Sequence, residues 1–255
     1  MDSQFLTSLL VGVMVGAASG FLGVFMILKR MALVGDALTH VALPGIGLAL
    51  ILGINPFFGA FTLLFVAMVL IWNLEHKTEL PIETLVGIFF ASSLAIGILL
   101  TPKLELYEAL FGDISSVGFW DGIFAIIIAI AVFLIMIKIS ERMLMGILSR
   151  DLAVSSGINV RLLDFIFLLL VAVVVALGVK VVGSLLMGGL VIIPAAAAKN
   201  VSRSFRQFTI WSSFFGLISG GGGIFVAKLF SISPGPAVVL SSAAFFLISL
   251  AFKRR

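Results

Sequence analysis

Long apolar runs recur along this chain of 255 residues, and they constrain its fold more than any other feature. Many reach roughly 20 residues, the length that an α-helix needs to cross the hydrocarbon core of a bilayer. We predict an all-α fold, a polytopic transmembrane helical bundle with about nine spans, in which residues 1–255 form a single transmembrane domain. The predicted spans are 5–28, 33–52, 54–74, 82–100, 117–137, 163–182, 184–199, 208–230 and 237–252.

The composition supports a membrane location. Hydrophobic residues make up 62% of the chain and charged residues 11%, whereas a soluble domain is about a quarter charged. A single soluble core could not bury this much apolar surface, but lipid can cover it. The chain has no cysteine, which excludes thiolate metal sites and thiol catalysis.

The basic residues predict the orientation of the bundle. Thirteen of the 16 lysines and arginines lie at the ends of the odd-numbered predicted spans or in the segments after them, and the other three lie at the outer ends of even-numbered spans. The positive-inside rule therefore places the N-terminus outside and the C-terminus in the cytoplasm. No basic stripe carries interleaved aromatic residues, so we expect no nucleic-acid partner. The outer group is Lys103, Lys180 and Lys228, and the inner group is Lys29, Arg30, Lys77, Lys138, Arg142, Arg150, Arg161, Lys199, Arg203, Arg206, Lys253, Arg254 and Arg255.

Two polar connections stand out between the spans. The longest one, near 138–162, lies on the predicted cytoplasmic side. The longest outer one, near 101–116, contains Glu105, Glu108 and Asp113, which we interpret as an ordinary solvated loop. His76 lies among charged residues and is likewise predicted in a solvated loop.

Asp36 and His40 are the main candidate functional residues. They are four residues apart in the second predicted span, so they project from the same face of a helix near the bilayer midplane. Ionisable side chains at that depth are costly unless they are paired or used. A carboxylate and an imidazole suit zinc or manganese. The alternative is a structural hydrogen bond between the two side chains that locks two helices together.

Two side chains are too few for a structural metal site, which normally has four ligands. A transport pathway needs a weaker site that releases its ion. We therefore expect transient binding of a divalent cation and no permanently bound cofactor. Pro44 removes the hydrogen bond to the His40 carbonyl, and Gly45 and Gly47 follow it, which predicts a broken helix beside the site.

Other polar residues in the spans are accessory candidates, although a hydroxyl bonded to its own helix explains most of them equally well. Besides Pro44, these candidates are Ser19, Asn55, Glu83, Ser92, Ser93 and Ser184.

Glycines at Gly12, Gly16 and Gly20 form a small-residue face on the first span, which predicts close helix packing. Further glycines follow in the seventh and eighth spans, and we interpret them in the same way. No Gly-Lys-Ser/Thr sequence follows any glycine cluster, so the chain is not expected to hydrolyse ATP itself. Motifs of metalloproteases and serine hydrolases are also absent, and we expect a transport subunit rather than an enzyme.

A short cytoplasmic helix is predicted between Ser149 and Arg161. Ser149 can cap its start, Asp151 suits its first turn and Gly157 can end it. A helix this short needs a partner surface to be stable. That surface is either the protein's own spans or another protein.

These features together resemble the zinc/manganese/iron-type permease family of ABC importers, over nearly the whole chain. Relatives often have a threonine where this chain has Ala197, so a hydroxyl role there does not carry over. The similar stretches, in order, are Lys29-Arg30-Met31, Gly35-Asp36-x-x-x-His40, Pro44-Gly45, Asn55-Pro56-Phe57, Glu83-Thr84-Leu85-x-Gly87-Ile88, Leu110-Phe111-Gly112-Asp113, Val182-Gly183-x-Leu185-Leu186 and Ile192-Ile193-Pro194-Ala195-Ala196.

The resemblance implies a multi-pass permease in a bacterial plasma membrane, paired with a second copy as a homodimer. It implies two cytoplasmic ATPase subunits that bind ATP, and an extracytoplasmic protein that delivers the metal. Asp36 and His40 match the family's pathway residues, and residues 150–159 match its coupling helix. The coupling residues implied are Asp151, Leu152, Ala153, Ser156, Gly157 and Asn159.

Three alternatives remain at this point. A permease for iron chelates or cobalamin would have little use for a bare Asp–His pair. An intramembrane enzyme that uses His40 would turn over without an ATPase. A passive channel would need neither an ATPase nor a delivery protein.

Overall fold

Ten helices form within residues 3–78, 80–100, 110 and 118–252, which are the residues that the computed structural model describes. They are α1 (Ser3–Leu28), α2 (Ala32–Ile51), α3 (Pro56–Thr78), α4 (Ile82–Leu100), α5 (Phe119–Leu148), α6 (Arg150–Ser155), α7 (Val160–Val182), α8 (Ser184–Val201), α9 (Phe205–Phe230) and α10 (Pro234–Ala251).

Eight of these described helices are long and apolar enough to cross a membrane, namely α1 to α5, α7, α9 and α10. α8 is a shorter apolar helix and coincides with the predicted seventh span. The described part of the chain contains no strand. The all-α bundle is therefore confirmed, and the described residues give eight candidate spans and one shorter apolar helix where about nine spans were predicted.

One boundary prediction was wrong. α5 continues to Leu148, so residues 138–148 are helical rather than part of a polar connection. The reason is that Met136, Ser140 and Met143 stay buried at helical spacing while the charged side chains between them point outward. The connection after α5 is thereby reduced to a capped six-residue helix and two short turns.

His76 was also wrongly assigned to a loop, because α3 remains helical as far as Thr78. The predicted outer connection with Glu105, Glu108 and Asp113 lies outside the described residues. The same holds for the Phe111–Asp113 part of the family-like stretch and for the three basic residues at 253–255.

The centre of the bundle is formed by α1, α2, α7 and α8. The spans of α1 and α2 are 78% and 72% buried, whereas that of α4 is only 22% buried. Fully buried side chains such as Phe25, Phe167 and Leu190 fill the space between the central helices. Side chains on a mostly buried helix such as α2 are therefore held in fixed positions by their neighbours.

The glycine face of α1 packs against α9, as the sequence predicts. A Cβ added at Gly16 would lie 2.2 Å from the Gly216 carbonyl oxygen, and one at Gly220 would lie 2.2 Å from that of Gly12. Ser212 donates a hydrogen bond to the carbonyl of Gly20 across the same contact. Small residues on both helices allow the two backbones to touch.

Candidate metal pathway

Asp36 and His40 lie in the first half of α2, which starts at Ala32. Along the helix they are about 6 and 12 Å from its start, at 1.5 Å per residue. The segment that brings the chain into α2 is fixed by Arg30, which has a left-handed backbone with φ of 60°, and by Met31, whose N–H donates to the Met26 carbonyl. This tight turn leads from α1 into α2, which packs mainly against α3 and α4.

The His40 side chain is buried, with only 6% of its surface exposed. Its ring meets the ring of Phe90 on α4 edge to face, with centroids 5.1 Å apart. Its Nδ1 atom is buried and has no hydrogen-bond partner. A buried polar atom without a partner is uncommon in folded proteins and points to a group that a ligand or water completes.

Asp36, in contrast, is exposed on the surface of the single chain. Among the described residues, neither a hydrogen bond nor an ion pair joins its carboxylate to His40. Beside the backbone bonds of the helix, the Thr39 hydroxyl donates to the Asp36 backbone carbonyl, at 2.6 Å. The alternative of a structural Asp–His hydrogen bond is therefore not realised in this chain.

α8 is the helix that packs closest to Asp36. A Cβ added at Gly188 would lie 2.6 Å from both the Cα and the Oδ1 atoms of Asp36. Only a glycine permits this approach of α8 to the backbone of α2. Sequence reasoning assigned Gly188 to general helix packing and missed that it faces the candidate ligand. The adjacent glycines Gly188 and Gly189 in a short span were the sequence signal that could have predicted this close approach.

The predicted break in α2 is absent, since the helix continues through Pro44 to Ile51. Neighbouring helices explain its continuity. Gly97 of α4 sits against Leu43 and Pro44, and Gly45 meets Gly59 of α3 at backbone contact. Gly45 thus serves helix packing rather than loosening a turn. The His40 carbonyl still lacks an N–H donor at residue 44, because proline has none.

The accessory candidates are spread over several helices. Ser19 on α1 and Ser184 on α8 are fully buried, and their hydroxyl oxygens have no partner. Ser93 on α4 is buried, whereas Ser92 is exposed.

The other two accessory candidates lie at helix starts. Asn55 accepts a hydrogen bond from the Phe57 N–H at 2.9 Å, next to the start of α3. Glu83 is exposed in the first turn of α4. Both positions have ordinary structural explanations in helix capping and the helix dipole.

The described residues contain no group of three or more His, Asp or Glu side chains that could hold a metal ion together. Asp36 and His40 alone would make a two-ligand site. Water, a carbonyl or a second protein chain has to supply the remaining ligands.

The predicted cytoplasmic helix is α6, which is shorter than the predicted segment. Ser149 accepts a hydrogen bond from the Leu152 N–H at 3.3 Å, and Asp151 lies in the first turn, as predicted. The helix ends at Ser155, and Gly157 follows with φ of +75°. Asn159 is not part of α6, since its side chain accepts from the Leu162 N–H and caps α7.

α6 has a buried side and an exposed side. Ala153 is fully buried against the bundle, while Leu152 and Val154 are about 60% exposed. The exposed side of this short helix is therefore partly apolar. The hydroxyl of Ser156 donates to the Leu152 carbonyl at 2.8 Å and is thereby used within the turn.

A basic cavity of about 370 Å³ lies beside α6, between the ends of α1, α3 and α5. Lys29 forms an ion pair with Asp164 of α7 there, and its ammonium group lies 5.4 Å from the centre of the Phe167 ring. These contacts join the turn before α2 to the start of α7. α6 leads directly into α7, and the Lys29–Asp164 ion pair links the start of α7 to the turn before α2.

Comparison with known proteins identifies this architecture. A family model described as "ABC 3 transport family" matches residues 1–253. The zinc uptake membrane protein ZnuB of Haemophilus influenzae is 35% identical, with 97% of this chain and 96% of that protein aligned. The manganese import permease ScaB of Streptococcus gordonii is 32% identical over 97% of this chain and 91% of its own length.

Solved structures agree with this result. The PsaBC complex of Streptococcus pneumoniae bound to a Fab contains a chain with a TM-score of 0.86 and 30% identity, covering 98% of this chain and 91% of that one. An inward-facing metal-chelate type ABC transporter has a TM-score of 0.81 at 20% identity, which shows likeness of fold alone, over 96% of this chain and 85% of that one.

These matches confirm three predictions: a multi-pass membrane protein, a permease rather than an enzyme, and the family suggested by the motifs. Eight described helices of membrane-spanning length, a family match over almost every residue and a PsaBC-like fold all agree. This chain belongs to the ABC 3 transport family.

Proposed function

We propose that this chain is the membrane permease subunit of an ATP-driven importer of divalent transition metal ions, zinc or manganese, and that Asp36 and His40 bind the ion transiently during transport. The single observation that carries the site assignment is the exposed carboxylate of Asp36 on a helix that is otherwise mostly buried. The named relatives of known cargo carry zinc or manganese, which supports this class of cargo.

The charge of the Asp36 carboxylate argues against contact between its exposed side and lipid. A carboxylate inside a bilayer costs several kcal/mol unless it faces water, a cation or a partner group. Asp36 lies about 6 Å along α2 from the start of the helix. Gly188 covers only one side of the Asp36 side chain. The other side is therefore assigned to a water-filled path or to a second copy of the chain.

A second copy would complete the site. In a twofold dimer whose axis passes the exposed side of Asp36, the same patch faces itself and brings together two Asp36 and two His40 side chains. Four ligands of oxygen and nitrogen type match the usual number for zinc and leave room for water around manganese. A site divided between two subunits can also open and close as they move, which suits alternating access.

α6 is the proposed contact for the ATPase. Its exposed residues Leu152 and Val154 offer an apolar surface at the predicted cytoplasmic end of the bundle. The segment near 138–162, now including the end of α5, would transmit movement of two ATP-binding subunits to the bundle. Its neighbours Lys29 and Asp164 connect this segment to the turn before α2. An extracytoplasmic metal-binding protein would deliver the ion to the opposite side, in a bacterial plasma membrane.

The test is uptake of radiolabelled zinc and manganese by the complete importer in proteoliposomes. We expect Asp36→Asn and His40→Gln each to lower uptake by at least roughly tenfold, since each removes one ligand type from the site. Both variants should still assemble with the ATPase, because neither side chain makes a hydrogen bond that holds the bundle together.

Two matched controls are available in the same chain. Glu83→Gln removes an exposed carboxylate at the start of α4, and His76→Gln removes the only other histidine. Both should import at the rate of the unmodified protein. Normal uptake by Asp36→Asn and His40→Gln, or equal losses in the controls, would refute the site assignment.

A further inference from the structure

We propose that Ser184 is a positioning residue for His40, whose Nδ1–H donates to the Ser184 hydroxyl directly or through one buried water, so that Nε2 is presented to the cation. This inference rests on the proposed function of His40 as a ligand. It assigns a role to two buried polar atoms that otherwise lack partners, His40 Nδ1 and Ser184 Oγ.

The register between α2 and α8 places these two residues at the same depth. A Cβ on Gly35 would lie 3.9 Å from Val191, and one on Gly188 would lie 2.6 Å from Asp36. The predicted second and seventh spans, which are α2 and α8, cross the membrane in opposite directions, and these two contacts agree with an antiparallel pair. One turn beyond the Asp36–Gly188 contact, His40 on α2 is level with Ser184 on α8, since four residues advance each helix by about 6 Å.

The backbone before α8 explains why this serine is inside the bundle. Gly183 has φ of 89° and ψ of 155°, a conformation that residues with a side chain rarely adopt. It turns the chain directly from α7 into α8 without an intervening loop. Ser184, the first residue of α8, is consequently fully buried rather than placed in an outer connection.

The other side chains beside His40 do not supply a hydrogen-bond acceptor for its Nδ1–H. Phe90 packs against the imidazole edge to face and has no hydrogen-bonding group. Thr39 points about 100° around the helix from His40, and its hydroxyl is turned back to the Asp36 carbonyl at 2.6 Å, away from the imidazole. Ser93 on α4 is the competing acceptor, because it lies between Phe90 and Gly97, which both contact α2.

The chemical reason is the usual arrangement of a metal-bound histidine. A ligating imidazole generally donates its second N–H to an oxygen, which fixes the ring and the tautomer. With the proton held on Nδ1, the lone pair of Nε2 is free for the cation. Loss of such a partner typically weakens metal binding by about tenfold or more.

The first experiment reads the tautomer directly. The chain has only two histidines, His40 and His76, so ¹⁵N-histidine labelling of the assembled importer gives a simple spectrum that His76→Gln assigns. We expect His40 to be protonated on Nδ1 in the unmodified protein and to become a mixture of tautomers in Ser184→Ala. Ser219→Ala is the matched control, because Ser219 is also buried with an unpartnered hydroxyl but lies on α9.

The second experiment measures zinc uptake by the same proteins in proteoliposomes. Ser184→Ala should raise the half-saturating zinc concentration by about tenfold, and Ser184→Thr, which keeps the hydroxyl, should restore it. Ser219→Ala should behave as the unmodified protein.

Three results would overturn the inference. The first is an unchanged His40 tautomer and unchanged zinc uptake in Ser184→Ala. The others are an equal loss of zinc uptake in Ser219→Ala, or a change of tautomer in Ser93→Ala but not in Ser184→Ala. Normal uptake by His40→Gln would instead refute the proposed function itself. Abolished uptake in His40→Gln together with normal Ser184→Ala would refute only the role of Ser184.

Discussion

Asp36 and His40 are neighbours on one helix face but have opposite environments. His40 is enclosed by α4, whereas Asp36 is open on the side away from Gly188. Because α2 starts on the predicted cytoplasmic side, an imported cation would meet the more enclosed imidazole first and pass to Asp36, one turn nearer the cytoplasm. Weak, stepwise binding of this kind is what a pathway requires if the ion is to leave again.

Gly188 sets the distance between α8 and Asp36, so replacing it should affect both stability and transport. We expect Gly188→Ala to destabilise the permease by about 1–3 kcal/mol, the usual cost of overpacking, because its methyl group would sit 2.6 Å from the Asp36 Cα atom. Zinc uptake should fall as well, since α2 must move. Thermal unfolding of the purified permease and proteoliposome uptake measure the two effects.

Gly222→Ala is the control for that substitution. Gly222 is also a helical glycine, and the nearest atom to an added Cβ is 4.0 Å away on its own helix. Alanine there should be neutral or stabilising by about 0.5–1 kcal/mol. A Gly188→Ala protein that is as stable and active as Gly222→Ala would show that the close contact at Asp36 is unimportant.

At the scale of single elements, α6 shows how much of a short helix its sequence specifies. The Ser149 cap, Asp151 in the first turn and the glycine stop are all present as predicted. Its length was overestimated because Asn159 serves the next helix as a cap. Six residues cannot form a stable helix alone, so α6 depends on the burial of Ala153 against the bundle.

The exposed side of α6 gives the second prediction. We expect Leu152→Ser to weaken association with the ATPase by roughly tenfold, because burying a leucine is worth about 1.5–3 kcal/mol. Metal binding by the permease itself should not change. Co-purification of the ATPase and its metal-dependent ATP hydrolysis are the measurements.

Ile232→Ser provides the comparison. Ile232 is an exposed apolar residue in the turn between α9 and α10, which the orientation prediction places outside. Its loss should leave ATPase association intact. If Leu152→Ser binds the ATPase as well as Ile232→Ser does, α6 is not the coupling surface.

Other parts of the site could not be predicted from the sequence. The Asp36–His40 face and the glycine face of α1 follow from helical spacing alone, which is a local property. The positions of Gly188 and Phe90 beside α2 depend on which helices pack together, and one sequence does not give that information. The continuity of α2 through Pro44 has the same origin, since α3 and α4 support it from outside.

For the whole molecule, the structure separates a buried centre from an exposed, largely apolar periphery. α1, α2, α7 and α8 form the centre, and α3, α4 and α5 expose most of their surface. The candidate pathway lies on α2 at the edge of the centre, where a second copy can reach it. A site in the middle of the four central helices would be inaccessible to a partner chain.

The orientation of the bundle gives the third prediction. The chain has no cysteine, so single cysteines can be introduced without further changes. Ile54→Cys, between α2 and α3, should react with a membrane-impermeant maleimide in intact cells. Ser155→Cys, at the end of α6, should react only after permeabilisation. The reverse pattern would contradict the positive-inside assignment and place α6 beyond reach of a cytoplasmic ATPase.

X-ray absorption at the zinc edge, measured on the assembled permease pair, tests the central claim most directly. The account predicts a shell of nitrogen and oxygen ligands that includes two imidazoles, one from each copy. The imidazole signal should disappear in His40→Gln and persist in His76→Gln. A shell without imidazole in the unmodified pair, or an imidazole signal that survives His40→Gln, would contradict the assignment of Asp36 and His40 as the place where the ion pauses.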